Sequence, residues 1–288
     1  MAITLDSALV DRLVGEALAE DRASDDATTS ALLPPGQRGR GTIVAKAPGV
    51  IAGLAFARSS FHQMDPAVDW QPSRTDGDSV SSGATVAVLD GSAGAMLRAE
   101  RTALNFLAHL SGVATAAAAI VALLEGTGCR LRDTRKTIPG LRLAEKYAAQ
   151  AGGAETFRAD LADAVMIKDN HLAVIRAREV GIQDAVRLVR EADPGLRIEV
   201  EVTSIDEARE AIEAGAGELL LDNMTPAKVR PIVELAAGLD PRPLLEASGG
   251  ITAVNARQYA EAGVDFISIG AITHSAPALD LSLGIEAR

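Results

Sequence analysis

Apolar and polar positions change their rhythm partway along the chain. The opening stretch "LDSALVDRLVGEALAED" places apolar residues at helical spacing, with Asp6 or Ser7 as its N-cap. "RGRGTIVAKAPGVIAGL" reads as two short strands around a Pro48-Gly49 turn, and "SVSSGATVAVLDGSAGAMLRAE" holds further strand. "AERTALNFLAHLSGVATAAAAIVALLEG" predicts two helices with a break near Ser111-Gly112. From Cys129 the pattern turns regular. Short apolar runs at "CRLRDT", "DAVMIKD", "RIEVEVT", "ELLLDN", "PLLEASGG" and "DFISIGA" alternate with helix-like segments, several of which end in Gly. That alternation predicts an α/β fold with a parallel sheet covered by helices. On this pattern alone, six units favour a closed barrel over an open sheet.

Composition narrows the class. A hydrophobic share of 48% with only 3% aromatic residues means a core of Ala, Val, Leu and Ile, as in helix-covered parallel sheets. The net charge of -11 argues against a general nucleic-acid binder, yet leaves room for a basic pocket. Cys129 is the single cysteine, so no disulfide framework forms within the chain, which fits a reducing cytoplasm. The first residues are amphipathic and acidic, unlike a signal peptide. No window approaches the length of a membrane span on this reading. The expectation is a cytoplasmic protein that contacts neither membrane nor nucleic acid.

The candidate chemistry sits where the apolar runs end. In order these ends are Asp133-Thr134-Arg135-Lys136, Lys168-Asp169-Asn170-His171, Glu199 and Glu201, Asp222-Asn223, Glu246-Ser248-Gly249-Gly250, and Ser268-Gly270. One polar residue at a strand end is ordinarily a surface or capping group. Six ends in succession converge on one mouth if the strands form a barrel. Within "IEVEV" the period of two puts Glu199 and Glu201 on one face and Ile198, Val200 and Val202 on the other. A carboxylate facing a lumen needs a cation or a hydrogen-bond partner. Arg135, Lys136, Arg158 and Lys168 are cations suited to carboxylate or phosphate. Glu201 and Asp222 suit a hard metal such as Mg²⁺, which keeps waters and reaches substrate phosphates. "SGG" and "IGAI" offer backbone amides without large side chains, a phosphate cradle at the last two loops. Together these groups point to an anionic acceptor and a Mg²⁺-bound phosphorylated donor.

The motifs "ERTALNFLAHLSGVAT", "DTRKTIPGLR", "DAVMIKDNH", "EVEV", "LLLDN", "EASGGI" and "GVDFISIGAITHS" closely resemble the quinolinate phosphoribosyltransferases. The resemblance runs nearly end to end and keeps motif order. It implies an N-terminal α/β sandwich over residues 1–112, joined by the tail 275–288, and an incomplete, open α/β barrel of about six strands over 113–274. It also implies a homodimer with sites at the subunit interface. The implied reaction joins quinolinate to phosphoribosyl pyrophosphate with Mg²⁺, giving nicotinate mononucleotide, pyrophosphate and CO₂ for NAD biosynthesis. Carried over by motif, Arg135, Lys136, Arg158 and Lys168 would hold the pyridine dicarboxylate, and Arg101 would reach the neighbouring subunit's site. Glu201 and Asp222 would serve the ribose and the Mg²⁺-pyrophosphate end. Ser248, Gly249, Gly250 and Gly270 would surround the 5′-phosphate. Lys136, Lys168, Glu201 and Asp222 are the expected catalytic residues.

One stretch departs from the family pattern. Where the family commonly reads N-H-R-x-G-L, this chain reads "TFRADL": Thr156 stands for Asn, Phe157 for the substrate-site His, and Asp160 for Gly. Phe157 can neither donate a hydrogen bond nor carry charge. In one reading it packs against the pyridine ring and quinolinate still binds. In the other, the chain is a paralogue acting on a different aromatic or pyridine acid. From other classes, a Schiff-base barrel lyase using Lys168 and a non-catalytic small-molecule sensor stay open on the residues.

Overall fold

The computed structural model describes residues 2–176 and 180–288. It divides into two compact units whose chain segments interleave. Residues 3–118, 138–153 and 275–288 make the first, and 119–137 with 154–274 make most of the second. The helix Arg142–Ala151 therefore clusters with the N-terminal segment rather than with the barrel strands that flank it in sequence.

The first unit is built on a four-stranded antiparallel sheet. Its strand order is Leu281–Ala287, Arg38–Ala45, Thr85–Ser92, Asp69–Pro72. Ile43, Val86 and Leu89 from this sheet are buried in one core cluster with Phe61, Met96 and Leu107. The opening helix Ser7–Glu20 is capped by Asp6, whose carboxylate accepts from Ala8 N at 3.1 Å.

The expected break at Ser111-Gly112 does not occur. One helix runs unbroken over Ala93–Leu124. Both small residues have packing reasons instead. Ser111 is fully buried and donates its hydroxyl to Ala52 O at 3.3 Å while accepting from Ala52 N at 3.0 Å. A Cβ on Gly112 would lie 2.2 Å from Pro277 O, so only glycine admits the returning chain there. The unbroken helix also corrects the membrane reading, because it contains a window of mean hydropathy 2.0. By length and composition it could cross a membrane, but half of that window is buried inside the protein, as in a core helix.

The second unit holds a six-stranded parallel sheet. Its order is Arg130–Arg132, Phe266–Ser268, Leu244–Ser248, Glu218–Asp222, Ile198–Val202, Val165–Ile167. The first and last of these stand at opposite ends of the order, so the barrel is open rather than closed. Between them in sequence, residues 133–164 add one isolated parallel bridge, Arg132 with Glu155, in place of a further strand. The connecting helices start on the signals the sequence carries. Ser204 caps Ile205–Glu213 by accepting from Glu207 N at 3.2 Å, and Glu207 accepts in turn from Thr203 N at 2.8 Å. Pro226 opens the next helix, where a missing N–H costs nothing.

Candidate active site

Parallel register brings the polar strand ends of the second unit level. Asp222 and Ser248 are direct cross-strand partners, and Val200 pairs with Ile167. The next residues along, Glu201 and Lys168, then meet, with Nζ 3.6 Å from Oε2. Burial raises the Glu201 carboxyl above its ordinary range; Lys168 opposes that, while Asp222 and Asp169 add to it. Glu201 thus sits among two other carboxylates and one cation at the mouth of the sheet.

The loop after the strand Arg130–Arg132 is tied down at both ends. Asp133 is buried, accepts from the Thr156 hydroxyl in a short hydrogen bond, and donates its N–H to Glu155 O at 2.9 Å. Beyond it, Thr134 Oγ1 accepts from Lys136 N at 3.0 Å, and Thr273 Oγ1 donates to Lys136 O at 2.7 Å. That second bond carries Lys136 to the segment after the last strand. Its side chain lies across Gly270, where a Cβ would be 2.7 Å from Lys136 Cδ and 3.2 Å from His274 Nε2.

Arg135 and Arg158 face each other's charge. Burial lowers the Arg158 pKa first, and Arg135 lowers it further. Arg158 is buried and donates to Ala164 O at 2.9 Å. Arg135 Nε is buried with no hydrogen-bond partner among the described residues. Two guanidiniums held together with a donor left over suit a ligand carrying more than one negative oxygen. Asp160 turns outward and caps its own turn, accepting from Ala162 N at 2.8 Å.

Gly249 and Gly250 follow Ser248 with φ of +90° and +63°, a conformation that disfavours side chains. No atom lies within 4 Å of a Cβ built on Gly250, so the turn is open there. Asn255 fixes it from the helix side, donating to Gly250 O at 3.1 Å.

Phe157 lies beside two arginines. It is 5% exposed, with the Arg197 guanidinium 4.7 Å from its ring centroid and that of Arg132 5.2 Å away. Arg197 also donates to Phe157 O. Two of the protein's own cations thus lie against the ring.

Sequence reasoning passed over Arg132. It reaches across the sheet interior to Glu246 at 2.7 Å, Glu218 at 2.8 Å and Glu199 at 3.8 Å, and lies 3.5 Å over the Phe266 ring. Burial works against its charge, but Glu246 and Glu218 outweigh burial and hold its pKa above the ordinary value. Glu199 is fully buried and both of its oxygens lack hydrogen-bond partners among the described residues. Burial pushes its carboxyl well above the usual range, and Glu246 adds to that. The only signal for this cluster was glutamate recurring on consecutive strands.

Arg101 belongs to the first unit. It lines a cavity of about 360 Å³ with Glu20, Asn105 and His109. His109 Nε2 is 2.8 Å from Glu145 Oε1, and Glu145 Oε2 accepts from Ile138 N at 3.1 Å.

Comparison with known proteins identifies the family. Residues 113–284 match the family model "Quinolinate phosphoribosyl transferase, C-terminal domain", and residues 26–111 match its N-terminal domain. The Homo sapiens protein "Nicotinate-nucleotide pyrophosphorylase [carboxylating]" is 43% identical over 247 residues, covering 85% of this chain and 81% of its own. The Mycobacterium leprae protein of the same name is 38% identical over 275 residues, covering 94% and 95%. A solved nicotinate-nucleotide pyrophosphorylase from Francisella tularensis superposes with a TM-score of 0.92 at 37% identity, over 99% of both chains.

Proposed function

Because the chain belongs to the quinolinate phosphoribosyltransferase family, we propose that it transfers the phosphoribosyl group of phosphoribosyl pyrophosphate to quinolinate. Pyrophosphate and CO₂ leave, and nicotinate mononucleotide remains for NAD biosynthesis. The observation that carries the acceptor half is the Arg135–Arg158 pair with its unused buried donor. A pyridine dicarboxylate supplies the oxygens that such a pair lacks. Lys168, which is 44% exposed, adds a third cation at the same mouth.

The donor half would use the opposite charges. No group of three or more His, Cys, Asp or Glu able to hold a metal occurs among the described residues. Mg²⁺ is ordinarily held by one or two carboxylates plus water and substrate phosphate. Glu201 and Asp222, close enough for Asp222 to raise the Glu201 pKa, would be those carboxylates. When bound, the ion would neutralise charge on the departing pyrophosphate. Lys136, held over Gly270, would face the donor's phosphate oxygens as well as the acceptor's carboxylates, and the Ser248-Gly249-Gly250 turn would take the 5′-phosphate on its backbone. Glu201 would stabilise the electron-poor ribosyl carbon as pyrophosphate leaves. The cations on the carboxylates would aim the ring nitrogen at that carbon. Once alkylated, the positively charged ring nitrogen stabilises the electron pair that CO₂ loss leaves on the adjacent ring carbon, and a proton from water then takes the place of CO₂ there, so the residues need supply no strong base. Arg101, in a cavity of its own unit, would act on the neighbouring subunit's site in a homodimer.

A panel assay tests this. The protein is incubated with phosphoribosyl pyrophosphate, Mg²⁺ and a set of pyridine and aromatic acids, and nucleotides are read by mass spectrometry. Nicotinate mononucleotide from quinolinate is expected, with loss of about 100-fold or more in kcat/KM for Arg135→Ala. Product from another acid but none from quinolinate would overturn the acceptor assignment.

A further inference from the structure

Asn223 follows the strand Glu218–Asp222 in a left-handed conformation, φ 53°, which is uncommon outside glycine and which asparagine tolerates better than most residues. The turn lets its N–H donate to Ser248 O at 2.9 Å, which extends the pairing of Asp222 with Ser248 by one residue. Its side chain then makes two contacts. Nδ2 donates to Asp222 Oδ2 at 2.6 Å. Oδ1 occupies the space over Gly249, where a Cβ would stand 2.2 Å from it.

We propose that Asn223 is a positioning residue that holds the two ends of the phosphorylated donor's site at a fixed separation. This rests on the function proposed above. The Asp222 carboxylate faces the metal and pyrophosphate end, and the Gly249-Gly250 turn faces the 5′-phosphate end. One amide touches both. By occupying one oxygen of Asp222, Nδ2 selects one rotamer and leaves Oδ1 for a cation. Because Oδ1 fills the place of the missing Gly249 Cβ, the carboxylate and the turn cannot shift independently. An aspartate at 223 would replace the donor by a second charge beside Asp222. A glycine would keep the positive φ and remove the tether.

The test uses the full chain with Asn223→Gly and Asn223→Asp. Binding of phosphoribosyl pyrophosphate with Mg²⁺, and of inorganic pyrophosphate with Mg²⁺, is read by calorimetry. Steady-state constants and Tm are measured alongside. Asn223→Gly is expected to weaken both bindings and raise the Mg²⁺ half-saturation about 10-fold, and Asn223→Asp about 100-fold, the range for residues that orient metal carboxylates. The KM for the acceptor and the Tm should stay near those of the parent protein. Donor and Mg²⁺ constants within twofold of the parent in both variants would overturn the proposal. So would donor and acceptor constants rising together with a fallen Tm, the mark of a merely structural role. A parent protein that binds no phosphoribosyl pyrophosphate would instead remove the functional reading beneath it.

Discussion

Replacing Arg132 by methionine removes the guanidinium that lies nearest to Glu246 and Glu218 inside the barrel unit. Methionine keeps most of the side-chain volume, so the dominant effect is charge. Arg132 makes close ion pairs to Glu246 at 2.7 Å and Glu218 at 2.8 Å, and it is itself buried. Removing one partner of a buried pair costs about 3–5 kcal/mol, because the other charge is left uncompensated. Loss of the contact with the Phe266 ring adds roughly 0.5–2 kcal/mol. Taking ~4 kcal/mol, and about 2–4 °C per kcal/mol for a protein of this size, Tm should fall by roughly 8–16 °C. The pH dependence has a definite sign. Burial already raises the Glu246 pKa, and Arg132 is the main group opposing it. Without Arg132 the folded-state value rises further above the unfolded one. Stability from such a group is present at low pH and is lost as pH rises through the folded value. The deficit should therefore be larger at pH 8 than at pH 5. Glu199→Gln is the control: it removes a second carboxyl whose pKa burial raises, so it should flatten the pH profile. Urea unfolding followed at several pH values, with two probes to check for separate transitions of the two units, measures all of this. A deficit under about 1 kcal/mol at pH 8, or one that shrinks as pH rises, would refute the reasoning.

Gly270→Ala would place a methyl 2.7 Å from Lys136 Cδ, the far part of a flexible side chain. Stability should barely change, but Lys136 would be displaced, and kcat/KM for phosphoribosyl pyrophosphate should fall ~10–100-fold in steady-state assays. Cys129 is buried, and burial pushes its thiol from 9.0 up to about 12. Those values imply ~1000-fold less thiolate than an exposed cysteine has at the same pH, so native protein at pH 8 should resist iodoacetamide, with unfolded protein reacting freely in the same mass-spectrometric assay.

Much of the second unit was legible because its logic is local. The alternation in "IEVEV" placed Glu199 and Glu201 on one face, and parallel register brought Glu201 to Lys168 as strand ends in a barrel should. What stayed hidden depends on contacts across long separations. Gly112 looks like a helix breaker until Pro277 O is found beside it. Phe157, which the family motif aligns with a substrate-site His, has Arg132 and Arg197 beside its ring, neither of which adjoins it in sequence. The choice between open and closed barrel turned on residues 133–164, whose helix Arg142–Ala151 belongs to the other unit and leaves no strand to bridge the gap.

The strand Leu281–Ala287 lies beside Arg38–Ala45 in the sheet of the first unit. A ribosome therefore makes three strands of that sheet, the last ending at Ser92, and then roughly 190 further residues before the fourth emerges. At ~5–20 residues per second the sheet waits on the order of 10–40 s with the Arg38–Ala45 edge unpaired. The barrel strands, all complete by Ser268, leave the ribosome during that wait. The portion of the protein translated first is thus the last to be finished, and its bare edge is where a nascent chain would need shielding from unwanted pairing.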